Sequence, residues 1–223
     1  MEIFHHENNT NHLIAQLFLR VNGKFSIQNC KRIQLPPFLE NEFKLGMELI
    51  TNEMKWEEFT FTIIDWLRLQ DYRTVISDKE LLLPGQLYKG LGIGHEIDEM
   101  LISFVSYRER DGILNTPEHW YNAYLYYTLC KYHFFNPAFE GYFKSIVKSV
   151  ENDIHMYSLT KVSWAIAQGK LIHIPSNSSV KWVSSEQFYP MNKKLKKFVN
   201  SKEYKEIVER NYHPEHFYIN WND

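Results

Sequence analysis

Four of the chain's nine glycines, Gly85, Gly90, Gly92 and Gly94, fall within ten positions, and three of them alternate in Lys89-Gly90-Leu91-Gly92-Ile93-Gly94. Glycine gives up more backbone entropy on folding than any other residue, so a cluster marks a place where side chains would block positive φ or close approach to the main chain. From His95 onward, Ile97, Met100, Leu101, Phe104 and Val105 recur at helical spacing, which predicts an amphipathic helix over 95–110. A glycine loop opening a helix presents unpaired N–H groups and the positive end of the helix dipole, a combination suited to phosphate. On that reading the amides of Leu91, Gly92, Ile93, Gly94 and His95 hold the anion and Lys89 adds charge. Glu96, Asp98 and Glu99 work against it, because acids in the first turns complement the dipole but repel an anion. A bare strand-to-helix turn is the alternative.

Histidines and carboxylates give a second chemistry to weigh. His95 and Glu99 share a helix face, as do Glu151 and His155, and Glu118-His119 lies between them in sequence. Imidazoles and carboxylates are ligands for catalytic zinc or iron, so these groups would make a metal centre if the fold converged them. His-Glu-Ile-Asp-Glu lacks the second histidine of the zinc-protease motif, and i,i+4 His–Glu pairs are ordinarily surface pairs. The lysines at 193, 194, 196, 197, 202 and 205, with Arg210, read as a solvated helix face, with docking to an acidic partner or RNA as the alternative.

The composition narrows the frame around these residues. A chain of 223 residues with 44% hydrophobic and 16% aromatic content has the makings of one sizeable core, and 14 tyrosines and 15 phenylalanines supply flat surfaces to line it. The net charge of −2 argues against wholesale nucleic-acid binding. Cys30 and Cys130 stand far apart, outside any metal spacing, and read as reduced thiols in a cytoplasmic protein. No positively charged start precedes an apolar run, and no apolar stretch approaches the ~18 residues that span a bilayer.

The elements that position the glycine loop follow from pattern. Leu13–Val21 and Lys24–Cys30 flank Asn22-Gly23 and predict a β-hairpin, with a helix over 13–21 as the alternative. After Pro36-Pro37, the spacing of Leu39, Phe43, Met47, Ile50 and Met54 predicts a helix, although Phe43, Leu45, Met47 and Leu49 also alternate as a strand would. Phe59–Leu69 predicts a central strand and Leu81–Leu83 a short buried one. Ile113-Leu114, a helix over 120–130 and a strand at 133–135 come next. The order strand, loop, helix, strand, helix, strand over 81–135 predicts an α/β unit whose first helix crosses between parallel strands. Helices at 139–150, 157–167 and 193–212, with a short strand at Trp182-Val183, complete the chain.

The stretch 81–135, about a quarter of the chain, resembles the GNAT superfamily of N-acetyltransferases. There, a short apolar strand enters an (Arg/Gln)-x-x-Gly-x-(Gly/Ala) loop, matched here by Lys89 to Gly94 with Lys at the first position. Leu125-Tyr126 matches the family's helical Leu-Tyr, while the Gly-Phe pair that follows it there is absent here. The resemblance implies an α/β (α+β) fold with a mixed central sheet and flanking helices over 1–138, and a mainly helical C-terminal extension, 139–223, packed on it. It implies acetyl-coenzyme A or another acyl-coenzyme A as co-substrate, its pyrophosphate held by residues 89–95, and a small-molecule or peptide amine as acceptor. Tyr126 would protonate the departing thiolate. The oxyanion would meet a backbone N–H from Leu83 or Gly85, since Pro84 has none, and Glu80 or Asp78 would hold a water as base. A homodimer is compatible with all of this. The alternatives are a non-enzymatic interaction module on a degenerate acyltransferase-like fold, and a metal-dependent hydrolase.

Overall fold

The structure, a computed structural model, describes residues 1–7, 9–25, 35–54, 59–74 and 82–222. Strands β1 (Glu2–Glu7) and β2 (Thr10–Phe25) form an antiparallel hairpin, with Asn9 at φ 61° in its turn. Asparagine tolerates that left-handed conformation. The hairpin expected at Asn22-Gly23 does not form: β2 runs straight through the pair, with a shift in its pairing to β3 (Phe59–Leu69) between Arg20 and Gly23. Gly23 serves close packing instead, because a Cβ there would lie 2.3 Å from Ile63 Cδ1. Residues 26–30 of the expected second strand lie outside the described residues, as does Cys30.

Helix α1 (Glu40–Met54) buries Phe43, Met47, Ile50 and Met54, so the helical spacing prevails over the alternating one. Gly46 in its interior answers to tertiary packing, since a Cβ would meet Asn136 Oδ1 at 2.3 Å. That oxygen caps α4 (Pro137–Ser149) by accepting from the amides of Ala138 and Phe139, and Asn136 Nδ2 donates to the Phe43 carbonyl.

Helix α2 (Gly94–Tyr107) crosses between β3 and the parallel strand β4 (Gly112–Asn115). Beyond helix α3 (Trp120–Thr128) comes β5 (His133–Phe134), and between β4 and β5 lies β8 (Gln187–Pro190), antiparallel to both. The sheet order is therefore β1-β2-β3-β4-β8-β5, a mixed sheet that takes one strand from beyond residue 138. Leu82 and Leu83, in the expected strand Leu81–Leu83, belong to no sheet. Leu81 lies outside the described residues, and the main chain of the next two residues bonds elsewhere. Trp164 Nε1 donates to the Leu82 carbonyl at 2.7 Å, and the Leu83 amide donates to Gln86 Oε1 at 3.3 Å.

Helices α5 (Glu151–Tyr157) and α6 (Leu159–Ala167) are separated by Ser158 at φ 97°, which moves the start of the expected 157–167 helix to Leu159. A second sheet orders β7 (Ser178–Ser179), β6 (Leu171–His173) and β9 (Phe217–Ile219). Trp182-Val183 is not a strand. The single helix expected over 193–212 is two, α7 (Lys193–Val199) and α8 (Lys202–Arg210), because Ser201 starts a new helix by capping the Tyr204 amide.

The central sheet is covered on both faces. On one, Phe61, Ile63, Leu114 and Phe188 join side chains of α1, α4 and α8, with Phe135 stacked on Phe188 at 4.0 Å. On the other, Leu17, Ile64 and Ile113 pack under Leu101 and Val105 of α2 and against Tyr132. Among the described residues no helix is long and apolar enough to cross a membrane.

Candidate functional site

After β3 the chain makes an excursion and comes back to it. The Asp71 amide donates to the Lys89 carbonyl at 2.7 Å in an isolated antiparallel bridge, and a Cβ on Gly90 would lie 3.7 Å from the Leu69 carbonyl. The glycine loop thus stands at the C-terminal end of β3 and at the head of the crossover helix, the position at which open α/β sheets take ligands. Gly92 has φ 76°, which accounts for that glycine by backbone conformation. Gly94 has a helical position and nothing within 4 Å of where its Cβ would be, so neither strain nor packing accounts for it. No side chain caps α2, whose N-cap is Ile93, and residues 92–96 are exposed. The first-turn amides therefore face solvent with the dipole behind them.

The acids near this end divide. Asp98 turns inward, is buried, and accepts from the Tyr132 hydroxyl at 2.8 Å. Burial raises its pKa, and the Tyr132 hydrogen bond opposes part of the rise. Glu96 and Glu99 stay outside, with His95 Nε2 3.5 Å from Glu99. A cavity of about 110 Å³ adjoins the loop between Leu91, Asp71 and Tyr72.

The sheet forks beside the loop. β3 and β4 pair from Phe61 opposite Gly112 to Ile64 opposite Asn115, after which β4 ends and β3 runs on to Leu69. Asn115 is only 3% exposed, and its side chain interacts with the Tyr126 hydroxyl without completing a hydrogen bond of normal geometry. Across the ladder, Gln187 donates through Nε2 to the Ala123 carbonyl at 3.2 Å but leaves Oε1 unpaired, and Thr62 Oγ1 is also buried and unpaired. Each unsatisfied group costs about 1–3 kcal/mol, so a run of them along one face of a central sheet favours pairing with water or a ligand. Trp120 Nε1 and Tyr142 Oη also lack partners, in the other core layer.

Tyr126 of α3 belongs to the same layer. Its ring lies 5.0 Å from that of Tyr132, and burial, reinforced by the nearby Asp98 carboxylate, drives its pKa upward, with Asn115 holding it down in part. The phenol is consequently a protonated donor next to Asn115. Burial first, and Asp98 second, push the Cys130 thiol up to about 12, so the cysteine is not a nucleophile.

Glu80 and Asp78 lie outside the described residues. Leu83 cannot supply an oxyanion N–H, since Gln86 already occupies its amide. Gly85 adopts φ 80° against His119, whose Nε2 would be 2.5 Å from a Cβ there. Among the described residues His95, Glu99, Glu118, His119, Glu151 and His155 do not assemble into a metal-ligating group; the side chains that do come together are His213, Glu215 and His216.

Asn115, Thr62 and Gln187 escape a reading based on glycines and acids. Asn115 has a signal, a polar residue closing the apolar run Ile113-Leu114, but its burial depends on β8, which arrives from 72 positions later. No family model matches the sequence, and no match is found among curated proteins or solved structures.

Proposed function

We propose that the chain transfers an acyl group from an acyl-coenzyme A to an amine. The observation that carries the reading is the pair Asn115 and Tyr126 at the fork of β3 and β4, beside an uncapped helix N-terminus headed by a glycine loop. The loop suits a pyrophosphate. An amide-bearing arm running from it into the fork would give Asn115 both a donor and an acceptor, completing the pairing that the Tyr126 hydroxyl alone leaves unfinished. The resemblance to the GNAT superfamily agrees with this placement, with β3 now taking the part expected of Leu81–Leu83.

In the transfer, a neutral amine attacks the thioester carbonyl, a C–N bond forms and the C–S bond breaks. The amine loses a proton and the departing thiolate gains one from Tyr126, whose raised pKa keeps it protonated. Past Ile64, β3 has no β4 partner, so the main-chain N–H of Leu67, which alternates away from β2, replaces Leu83 and Gly85 as the candidate oxyanion donor. The acceptor is an amine of small-molecule or peptide type.

Calorimetry with acetyl-coenzyme A tests the reading. Binding at a Kd below ~100 µM, with a matching rise in Tm, supports it. Absence of heat and of a Tm shift at ~1 mM ligand removes it.

A further inference from the structure

We propose that His213, Glu215 and His216 form a site for a divalent transition metal of the zinc type. The three lie on the single 3-10 turn Pro214–His216 and the residue before it, and their ligand atoms fall within 4.8 Å of one another.

The tautomer of His213 follows from what its ring faces. Its Nε2 lies 2.8 Å from the Arg210 carbonyl, which only accepts, so Nε2 carries a proton and, in the neutral ring, Nδ1 presents a lone pair. That bare nitrogen faces Glu215 Oε1 at 3.3 Å, and His216 Nε2 lies 3.7 Å from the same oxygen. A proton or a cation can hold His213 Nδ1 against Glu215 Oε1, and a divalent ion there would also be within reach of His216 Nε2. Zinc binds nitrogen and oxygen at about 2.0–2.2 Å, which places neighbouring tetrahedral ligands about 3.3–3.5 Å apart, close to both separations. A carbonyl partner on the non-ligating imidazole nitrogen is also the usual support behind a metal-bound histidine.

The backbone holds this arrangement in advance. The His216 amide donates to the His213 carbonyl at 3.1 Å, and the His213 amide donates to the buried Ser145 hydroxyl at 2.7 Å. The His216 carbonyl accepts from Ile174 at 2.8 Å. Behind the turn, the His216 ring meets that of His173 edge-on at 5.8 Å, and His173 stacks on Phe38 at 3.8 Å. The imidazole–carboxylate set favours zinc over magnesium or calcium, which take oxygen ligands, and the partly exposed side chains leave room for water to complete the shell.

The site sits on the α4 side of the sheet, opposite α2, so it is independent of the acyl-transfer reading. Its ligands precede β9 directly, and its supports come from α4 and α8.

The test is titration of the intact chain with zinc chloride, followed by calorimetry. One equivalent is expected at a Kd below ~10 µM, and no heat with magnesium chloride. The double variant His213→Ala/His216→Ala is expected to lose that equivalent. Glu215→Gln, at an exposed position where the fold is not at risk, is expected to weaken it at least ~10-fold. Wild-type protein that binds no zinc below ~100 µM, or variants that retain the equivalent unchanged, would overturn the proposal.

Discussion

Asn115 and Gln187 face each other across β4 and β8, and each buries a polar atom that nothing in the chain satisfies. A fold selected for stability alone would place leucine or valine there, so the pair separates stability from function. Asn115→Val removes both polar atoms in a branched side chain only slightly larger than asparagine. Stability in urea is expected to hold or to rise by about 1 kcal/mol, while acetyl-coenzyme A affinity falls at least ~10-fold. A loss of stability above ~2 kcal/mol would mean that Asn115 is a structural residue.

Gly92 and Gly94 make a matched comparison. Gly92→Ala forces an L-residue into φ 76° and is expected to cost about 1 kcal/mol. Gly94→Ala places a methyl in open space at the first turn of a helix, and is expected to leave Tm unchanged or to raise it slightly. If the loop closes around a pyrophosphate, the same methyl blocks its approach. Calorimetry should then show weaker ligand binding in a variant that is no less stable.

Tyr126→Phe deletes one hydroxyl and keeps the ring against Tyr132. Ligand affinity is expected to stay within about twofold, and thiol release from acetyl-coenzyme A in the presence of an accepting amine to slow by ~100-fold. Because burial raises the phenol's pKa, its ionisation should cause no loss of wild-type activity up to about pH 10. A rate unchanged by the substitution would leave the thiolate without this acid.

Much of the frame was legible because it is written in local periodicity. The 3.6-residue spacing of Phe43, Met47, Ile50 and Met54 and of Ile97, Leu101 and Val105 gave α1 and α2, and the β-branched and aromatic run gave β3. The misreadings have tertiary causes. Gly23 resembles a turn residue but is required by Ile63, and Leu82-Leu83 resembles a strand but bonds to Trp164 and Gln86. β8 is four residues, Gln-Phe-Tyr-Pro, too short to show a period, and it alone places Gln187 opposite Asn115. The loop half of the candidate site is thus visible in sequence, whereas the fork half depends on strand order.

Gly46→Ala tests one of those tertiary causes. A methyl at Gly46 would collide with the Asn136 side chain that caps α4 and bonds the Phe43 carbonyl. Although alanine is the better helix former by about 1 kcal/mol, a net loss of about 1–3 kcal/mol is expected. Asn136→Ala is expected to cost ~2 kcal/mol, and the double variant to lose less than the sum, because the obstacle is gone. Additive losses would show that the two residues act separately.

Asp98 gives the pH dependence. Its carboxyl is buried under α2 and its pKa is raised, first by desolvation and against the pull of the Tyr132 hydrogen bond. An acid whose folded pKa exceeds its unfolded one contributes stability below the unfolded pKa, near the usual 3.8, and loses it as pH rises through the folded value. Asp98→Asn keeps an oxygen to accept from Tyr132 and abolishes the titration. Its stability gain over wild type should therefore be larger at neutral pH than near pH 4, when urea unfolding is measured at both. A gain that is equal at the two pH values would mean that Asp98 carries no desolvation penalty, and that water reaches the carboxylate beneath α2.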